Sequence, residues 1–326
     1  MKAIVYAGKG FPGKLMLTEV KKPVARDREV LVKIYAATVT PSDIDGMGIV
    51  LLSRLCRSSK QRAAIPGVEF AGVIEEVGKE VRQYKAGDRV FGSTETSFGA
   101  WSEYICLPED GALLPMPSAM SFNEAAGLCD GALTALHFLK NKANMTAGQS
   151  ILINGASGSV GTYAVQLAKC WGCDVTGVCG TGNMELVKAL GANRAIDYTK
   201  EAFAGSERTY DIIFDAVGKS SFAQCKKLLK QGGMYLTTVP SPAIFLQMLY
   251  NRVRGGKKAI FTATGLAKRA IRIKALQQIR KLAETGALKS VVDRQFALDQ
   301  IAGAVSYVAQ GHKKGNVIVS PECAIS

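Results

Sequence analysis

Seven consecutive residues, Gly155-Ala156-Ser157-Gly158-Ser159-Val160-Gly161, have the spacing with the clearest chemical meaning in this 326-residue chain. Glycines let backbone N–H groups approach a pyrophosphate, and a helix start behind them adds favourable partial charge. The usual pattern is G-x-G-x-x-G; here Ala156 stands at its first glycine, followed by Gly158 and Gly161. Glycine spacing alone is weak, since a tight turn that binds nothing carries it too. The flanks add weight: Ile151 to Asn154 reads as a buried strand, and Tyr163, Val165, Leu167 and Ala168 read as a helix.

The next strand, CDVTGVCG, ends in Gly180-Thr181-Gly182-Asn183, with no acid before Glu185. An acid at that strand end would hold a ribose 2′-hydroxyl and repel a 2′-phosphate. A hydroxyl, an amide and backbone N–H groups accept the phosphate. The loop therefore favours NADPH over NADH, with Thr181 and Asn183 as its polar groups; the alternative is that both are only turn residues. The loop has no Lys or Arg, and Lys188 falls on the following helix.

Metal and thiol chemistry find little support. The eight cysteines show no framework spacing, and Cys170-Trp171-Gly172-Cys173 falls at a helix end, where a thiolate gains nothing. The two histidines, His137 and His312, have no second ligand at metal spacing. No metal is expected.

The surrounding pattern has two regimes. Residues 1–120 read as short strands punctuated by glycine (KAIVYA, EVLVKIYAATV, EFAGVIEEVG, DRVFGS, WSEYICLP), which suggests a small, mostly antiparallel barrel-like domain. Gly46 to Ala64 breaks this rhythm and is either a surface insertion or a mobile cover over a pocket. From Ser121, where Glu124 three residues on completes a capping pattern, helix and strand alternate. The expected elements include a helix over SSFAQCKKLLKQ and strands at RAIDY, YDIIFDAVG and GGMYLTTVP, giving a doubly wound parallel sheet. The last sixty residues should hold two helices and two strands that return to the first domain.

Composition is ordinary for a globular chain, with 48% hydrophobic and 21% charged residues. No apolar run is long enough to cross a bilayer, and MKAIVYAGKG reads as a first strand, so a cytoplasmic protein without stable membrane insertion is expected. The net charge of +14 suits an anionic cofactor, nucleic acid or acidic membrane, or marks only a solvated basic surface. Its densest part, Arg252 to Lys281, has helical spacing and no aromatic stacking platform, so no nucleic-acid partner is expected.

MKAIVY, AATVTPSD, IPGVEFAGVIEEVG, KAGDRVFG, GAWSEY, GALTALHFL, INGASGSVGTYAVQLAK, IDYTKE, DIIFDAVG and GHKKGNVIV occur in this order. Together they resemble the zinc-free quinone oxidoreductase-like branch of the medium-chain dehydrogenase/reductase superfamily. The resemblance implies a GroES-like β-rich catalytic domain (1–121 and 267–326) and a Rossmann NADPH-binding domain (122–266). It places Tyr198 at the 2′-phosphate. It places Thr134, Val217, Gly218, Thr237 and Val239 at the nicotinamide, and Gly315 and Asn316 over the cofactor; Asn316 departs from the lysine or arginine often found there.

Thr40 and Val68 stand where zinc-dependent members have Cys and His, and Cys129 falls near a further ligand position. Thr40 could donate to a developing oxyanion or could simply cap the turn before Pro41. The implied reaction is hydride transfer from NADPH to a quinone or α,β-unsaturated carbonyl, with no obligatory acid–base residue. Tyr84 is the one tyrosine between Gly46 and Gly99, which argues against an acyl-thioester substrate. The other reading is an NADPH-binding protein with a non-catalytic, crystallin-like or RNA-binding role. A homodimer or higher homo-oligomer is implied.

Overall fold

The computed structural model describes residues 1–7, 14–44, 65–95, 97–205, 207–254, 256–262 and 269–321. The Gly46–Ala64 stretch lies outside the described residues. The chain forms two compact units: Met1–Asp130 with Lys268–Glu284 and Ser290–Ser326, and Gly131–Ala267 with Thr285–Lys289.

The first unit opens with an antiparallel pair, β1 (Lys2–Ala7) and β2 (Lys14–Glu19). There follow β3 (Glu29–Val39), β4 (Glu69–Val77), β5 (Arg89–Ser93), β6 (Tyr104–Pro108) and β7 (Leu113–Pro115). Helix α1 (Phe122–Ala126) starts at Ser121, whose Oγ accepts from the Glu124 N–H at 3.3 Å while the Glu124 carboxylate accepts from the Ser121 N–H at 2.9 Å. That reciprocal cap is the one read from the Ser121/Glu124 spacing.

The second unit begins at the boundary helix α2 (Asp130–Leu136). Strands and helices then alternate: β8 (Ser150–Asn154), α3 (Ser159–Cys170), β9 (Asp174–Cys179), α4 (Met184–Ala189), β10 (Arg194–Asp197), β11 (Tyr210–Asp215), α5 (Phe222–Cys225), β12 (Leu229–Thr237), α6 (Pro242–Arg254) and β13 (Lys258–Phe261). All pairs are parallel in the order β10-β9-β8-β11-β12-β13. This is the 3-2-1-4-5-6 order of a Rossmann sheet, with the strand order reversing beside β8. β8 is buried along its whole length, as a central parallel strand must be.

The chain then returns to the first unit with α7 (Arg269–Glu284), β14 (Val292–Ala297), α8 (Ile301–Ala309) and β15 (Asn316–Ser320). The sheet order there is β14-β15-β3-β4-β5-β7, with β6 also on β3. β15 is antiparallel to β3 and parallel to β14, so the sheet is mixed. Phe70, Trp101, Ile34, Val317 and Val319 are among its fully buried side chains, and the Trp101 indole N–H donates to the Thr38 carbonyl at 2.9 Å. The burial of an indole is compatible with stability because its one donor is satisfied.

The unit boundaries differ from the expected 121/122 and 266/267 in two places. The α1 segment stays with the first unit because Phe122 stacks on Tyr35 at 4.6 Å and Asn123 donates to Gln295 at 2.8 Å. Residues 285–289 go with the second unit, where the Gln166 amide donates to the Lys289 carbonyl (3.0 Å) and accepts from the Lys289 N–H (2.8 Å). The helix expected over Ser220–Gln231 is also corrected. Only α5 and one 3-10 turn form, because parallel pairing with β11 begins at Leu229 opposite Tyr210.

Candidate functional site

The glycine turn lies at the carboxyl end of β8. Gly155 sits at φ +80°, a left-handed conformation open to glycine, and bends the chain out of the strand. The Gly155 and Ala156 N–H groups donate to the Val178 carbonyl at 3.1 and 3.0 Å, which ties the turn to β9. A Cβ on Gly161 would collide with the Gly155 carbonyl, so α3 can cross the turn this closely only with glycine there. Around Gly158 there is room: a Cβ would meet nothing nearer than 3.5 Å. Gly158 also starts α3 without a side-chain cap, so Ser159, Val160 and Gly161 open the helix. First-turn N–H groups lack carbonyl partners within a helix, and together they form an anion site.

At the end of β9, Gly180 to Asn183 form a 3-10 turn. Asn183 Nδ2 donates to Ser157 Oγ at 3.0 Å, joining this turn to the glycine turn. Asn183 Oδ1 is buried with no protein partner, an orphaned acceptor suited to a ribose hydroxyl. Residues at both turns thus fit a dinucleotide. Thr181 differs from expectation in one respect: its hydroxyl donates to Asp197 Oδ2 at 2.5 Å, so its proton is already committed. The Tyr198 ring lies against Gly180, in ordinary contact with the place a Cβ would occupy.

At the other end of the sheet edge, Asp215 closes β11 fully buried. Its Oδ1 accepts from Asn154 Nδ2 (3.1 Å) and from the N–H groups of Val217 (3.2 Å) and Gly218 (2.9 Å). Its Oδ2 accepts from the Ser220 N–H and hydroxyl and from the Tyr235 hydroxyl, at 2.8, 2.7 and 3.1 Å. Six donors hold one carboxylate, the condition under which a buried charge is tolerated. Burial and Asp215 together push the Tyr235 phenol above the usual tyrosine range. This hub, which sequence reasoning missed, fixes the turn carrying Val217 and Gly218. The only sequence signal was an acid closing an otherwise apolar strand, DIIFD.

Beyond this turn, the Val239 N–H donates to Thr237 Oγ1 at 3.2 Å, and the Val239 side chain lies against Gly218. Val217 and Val239 are both exposed. Thr134 is buried on α2.

In the first unit Thr40 caps the helical turn at 41–44. Its Oγ1 accepts from the Asp43 N–H at 3.1 Å and donates to Asp43 Oδ2 at 2.7 Å, and Asp43 Oδ2 also accepts from the Thr40 N–H at 2.8 Å. The Thr-Pro-Ser-Asp spacing is that of a capping box, and the structure uses it as one. Thr40 therefore shares its single proton with a buried carboxyl, which burial pushes up to about 7. Asn316 turns inward: its Nδ2 donates to Ser290 Oγ at 3.2 Å, and its side chain packs on Gly127. Gly315 precedes it at φ +59°.

A buried carboxyl cluster lies beside these residues. Glu69 Oε1 accepts from the Asp130 N–H, and Oε2 accepts from the Thr38 hydroxyl at 2.6 Å. Burial, with Asp130 and Asp43 facing it, pushes Glu69 up to about 8. Burial likewise lowers the Lys313 ammonium to about 8, although Glu69, Asp293 and Asp130 all favour its charge. Lys313 Nζ donates to the Gly315 carbonyl at 2.6 Å. Cys129 is buried beside this cluster, and its thiol is pushed well up. Among the described residues, no three His, Cys, Asp or Glu side chains are placed to hold a metal ion.

Tyr84 is a structural residue. Its hydroxyl donates to the Leu113 carbonyl at 2.8 Å, and burial pushes it up to about 12. Part of the basic segment is neutralised locally: Arg269 and Arg272 approach Glu95, and Arg280 pairs with Glu284 at 2.7 Å.

Two domain families match. The alcohol dehydrogenase GroES-like domain covers residues 26–118, and a family described as zinc-binding dehydrogenase covers 190–319. The chain is 32% identical to a 2-methylene-furan-3-one reductase of Solanum lycopersicum, over 98% of this chain and 79% of the relative. It is 31% identical to a chloroplastic NADPH-dependent alkenal/one oxidoreductase of Arabidopsis thaliana, over 98% and 80%. The solved quinone oxidoreductase of Coxiella burnetii superposes with a TM-score of 0.84 at 27% identity, covering 99% of each chain. The fold and these relatives define an oxidoreductase of two-domain architecture. The chain belongs to the medium-chain dehydrogenase/reductase superfamily, in its quinone oxidoreductase-like branch.

Proposed function

We propose that this protein is an NADPH-dependent oxidoreductase that delivers hydride to an enone, an enal or a quinone. The observation that carries the reading is the glycine turn at the reversal point of a 3-2-1-4-5-6 sheet, beside a β9 turn whose Asn183 presents an orphaned acceptor. The names of the tomato and Arabidopsis relatives support the cofactor and the substrate class.

Bound NADPH would supply the hydride. The chain's own residues position and shield. The α3 N-terminus and the glycine turn take the pyrophosphate, and Asn183 takes the adenosine ribose. The Val217–Gly218 turn and Val239 form an apolar bed for the nicotinamide, held by Asp215. Thr134 and Thr40 are the hydroxyls we assign to positioning. Thr40 can donate to a substrate oxygen only when its proton leaves Asp43, so its contribution is coupled to that carboxyl. The product enolate or hydroquinone takes its proton from water or a ribose hydroxyl.

We further propose a homo-oligomer in the cytoplasm. Among the described residues no helix is long and apolar enough to cross a membrane. Six cysteines there are free, in keeping with a reducing compartment.

The test is NADPH and NADH oxidation against 1,4-benzoquinone, 9,10-phenanthrenequinone, an enal, an enone and crotonyl-CoA. Turnover of quinones or enones with NADPH is expected. NADPH binding without turnover of any of them would overturn the enzymatic reading in favour of a non-catalytic NADPH-binding role.

A further inference from the structure

The β9 turn lacks a cation in sequence, but the fold brings one to it from the next strand. β10 pairs in parallel with β9, with Asp197 opposite Cys179. That register places Tyr198, Thr199 and Lys200 beside Gly180 to Asn183, at the edge where a Rossmann sheet meets the adenosine ribose. A tight turn then folds back on itself. The Lys200 N–H donates to the Asp197 carbonyl at 3.0 Å, and the Thr199 N–H and hydroxyl donate to Asp197 Oδ1 at 3.0 and 2.7 Å. Lys200 Nζ lies 3.8 Å from Asp197 Oδ2, the same oxygen that accepts the Thr181 hydroxyl.

These contacts create an electrostatic problem and its solution in one place. Asp197 is buried, and its hydrogen bonds from Thr181 and Thr199 hold it below the usual carboxylate range, so it is ionised at neutral pH. An ionised acid under Thr181 would repel a 2′-phosphate and suit a 2′-hydroxyl. Thr181 cannot offset it, because its proton points at the acid. Lys200 can: its side chain is 71% exposed and free to swing, and its ammonium already hovers at this edge. The other nearby lysine, Lys188, pairs with Glu185 at 3.1 Å on α4.

Building on the NADPH reading above, we propose that Lys200 is the specificity-determining cation of this chain. It leaves Asp197 to pair with the cofactor's 2′-phosphate, while Asp197 keeps Thr181 and Thr199. The strand-end acid and its lysine together set the preference between the phosphorylated and unphosphorylated dinucleotide. Removing the lysine leaves the acid uncovered and turns the site toward NADH.

The test is direct binding to the full chain, by nicotinamide fluorescence for NADPH and NADH and by calorimetry for 2′,5′-ADP and 5′-AMP. The proteins are wild type, Lys200→Gln and Lys188→Gln. Lys200→Gln should weaken NADPH and 2′,5′-ADP by about tenfold or more, the size of one charged hydrogen bond, and leave NADH and 5′-AMP within about twofold. It should also flatten the salt dependence of NADPH binding, while Lys188→Gln matches wild type. Unchanged NADPH affinity in Lys200→Gln, equal weakening of both dinucleotides, or the same loss in Lys188→Gln would overturn the assignment while leaving NADPH-dependent reduction standing. A wild type that binds no NADPH would overturn both.

Discussion

At the residue scale the most informative groups are the buried carboxyls of the first unit. Glu69 stands near 8 against 4.5, and Asp43 near 7 against 3.8, both because burial disfavours their charge. The folded state therefore holds these protons more tightly than the unfolded chain does. Stability from these groups is fully present below about pH 4, where the unfolded carboxyls are protonated too, and is lost progressively as pH rises from there through the folded values of about 7 and 8. Lys313 acts beyond that window. Lowered from 10.5 to about 8, it favours the folded state increasingly as pH rises from 8 towards 10.5. Glu69→Gln keeps an acceptor for the Asp130 N–H and cannot ionise. Urea melts should find it close to wild type at pH 4 and more stable than wild type at pH 8.5. A difference that does not vary with pH would show that Glu69 is not the titrating group. Tyr84→Phe should leave kcat with an enone unchanged, because the phenol serves only the Leu113 carbonyl.

At the element scale, what was legible in sequence followed local chemistry. The Ser121–Glu124 cap, the strand into the glycine turn and the returning C-terminal strands all carry short-range signals. Helix α6 was not read from the sequence. Phe245, Leu246, Leu249 and Tyr250 fall on one face at helical spacing yet are all exposed, so the apolar stripe does not mark a core-facing side. The segment after α5 misled in the opposite sense: Lys226-Lys227-Leu228-Leu229 reads as helix, yet pairing with β11 captures Leu229. Parts of the site also depend on partners far apart in sequence. Lys200 reaches the β9 turn only through the β9–β10 register, and Asp215 reaches Asn154 across 61 residues.

Two substitutions test the glycine turn. Gly161→Ala should lower the melting temperature and abolish NADPH binding, since its Cβ meets backbone that cannot yield. Gly158→Ala has room and should fold like wild type while weakening NADPH, because the added methyl stands where the pyrophosphate approaches. Gln166→Ala removes both hydrogen bonds to the Lys289 backbone and should cost about 1–3 kcal/mol in a denaturant titration.

At the scale of the whole molecule, the charge of +14 acts on encounter more than on fold. Stopped-flow association of NADPH should slow as ionic strength rises, and more steeply than that of the less charged NADH. Equal slopes would place the excess charge away from the approach path.

The threading of the chain has a consequence in time. β15 lies between β14 and β3 in the first unit's sheet, yet it follows every other strand of that sheet in sequence. The six-stranded sheet of the second unit is complete in sequence by Phe261, well before that. During synthesis the second unit can gain its strands in an uninterrupted run. The first unit must wait with the Ala37–Val39 stretch of β3's edge unpaired until β15 emerges, since β6 covers only Glu29–Lys33 of it. A growing chain arrested just short of Asn316 would leave that edge open to proteases and chaperones.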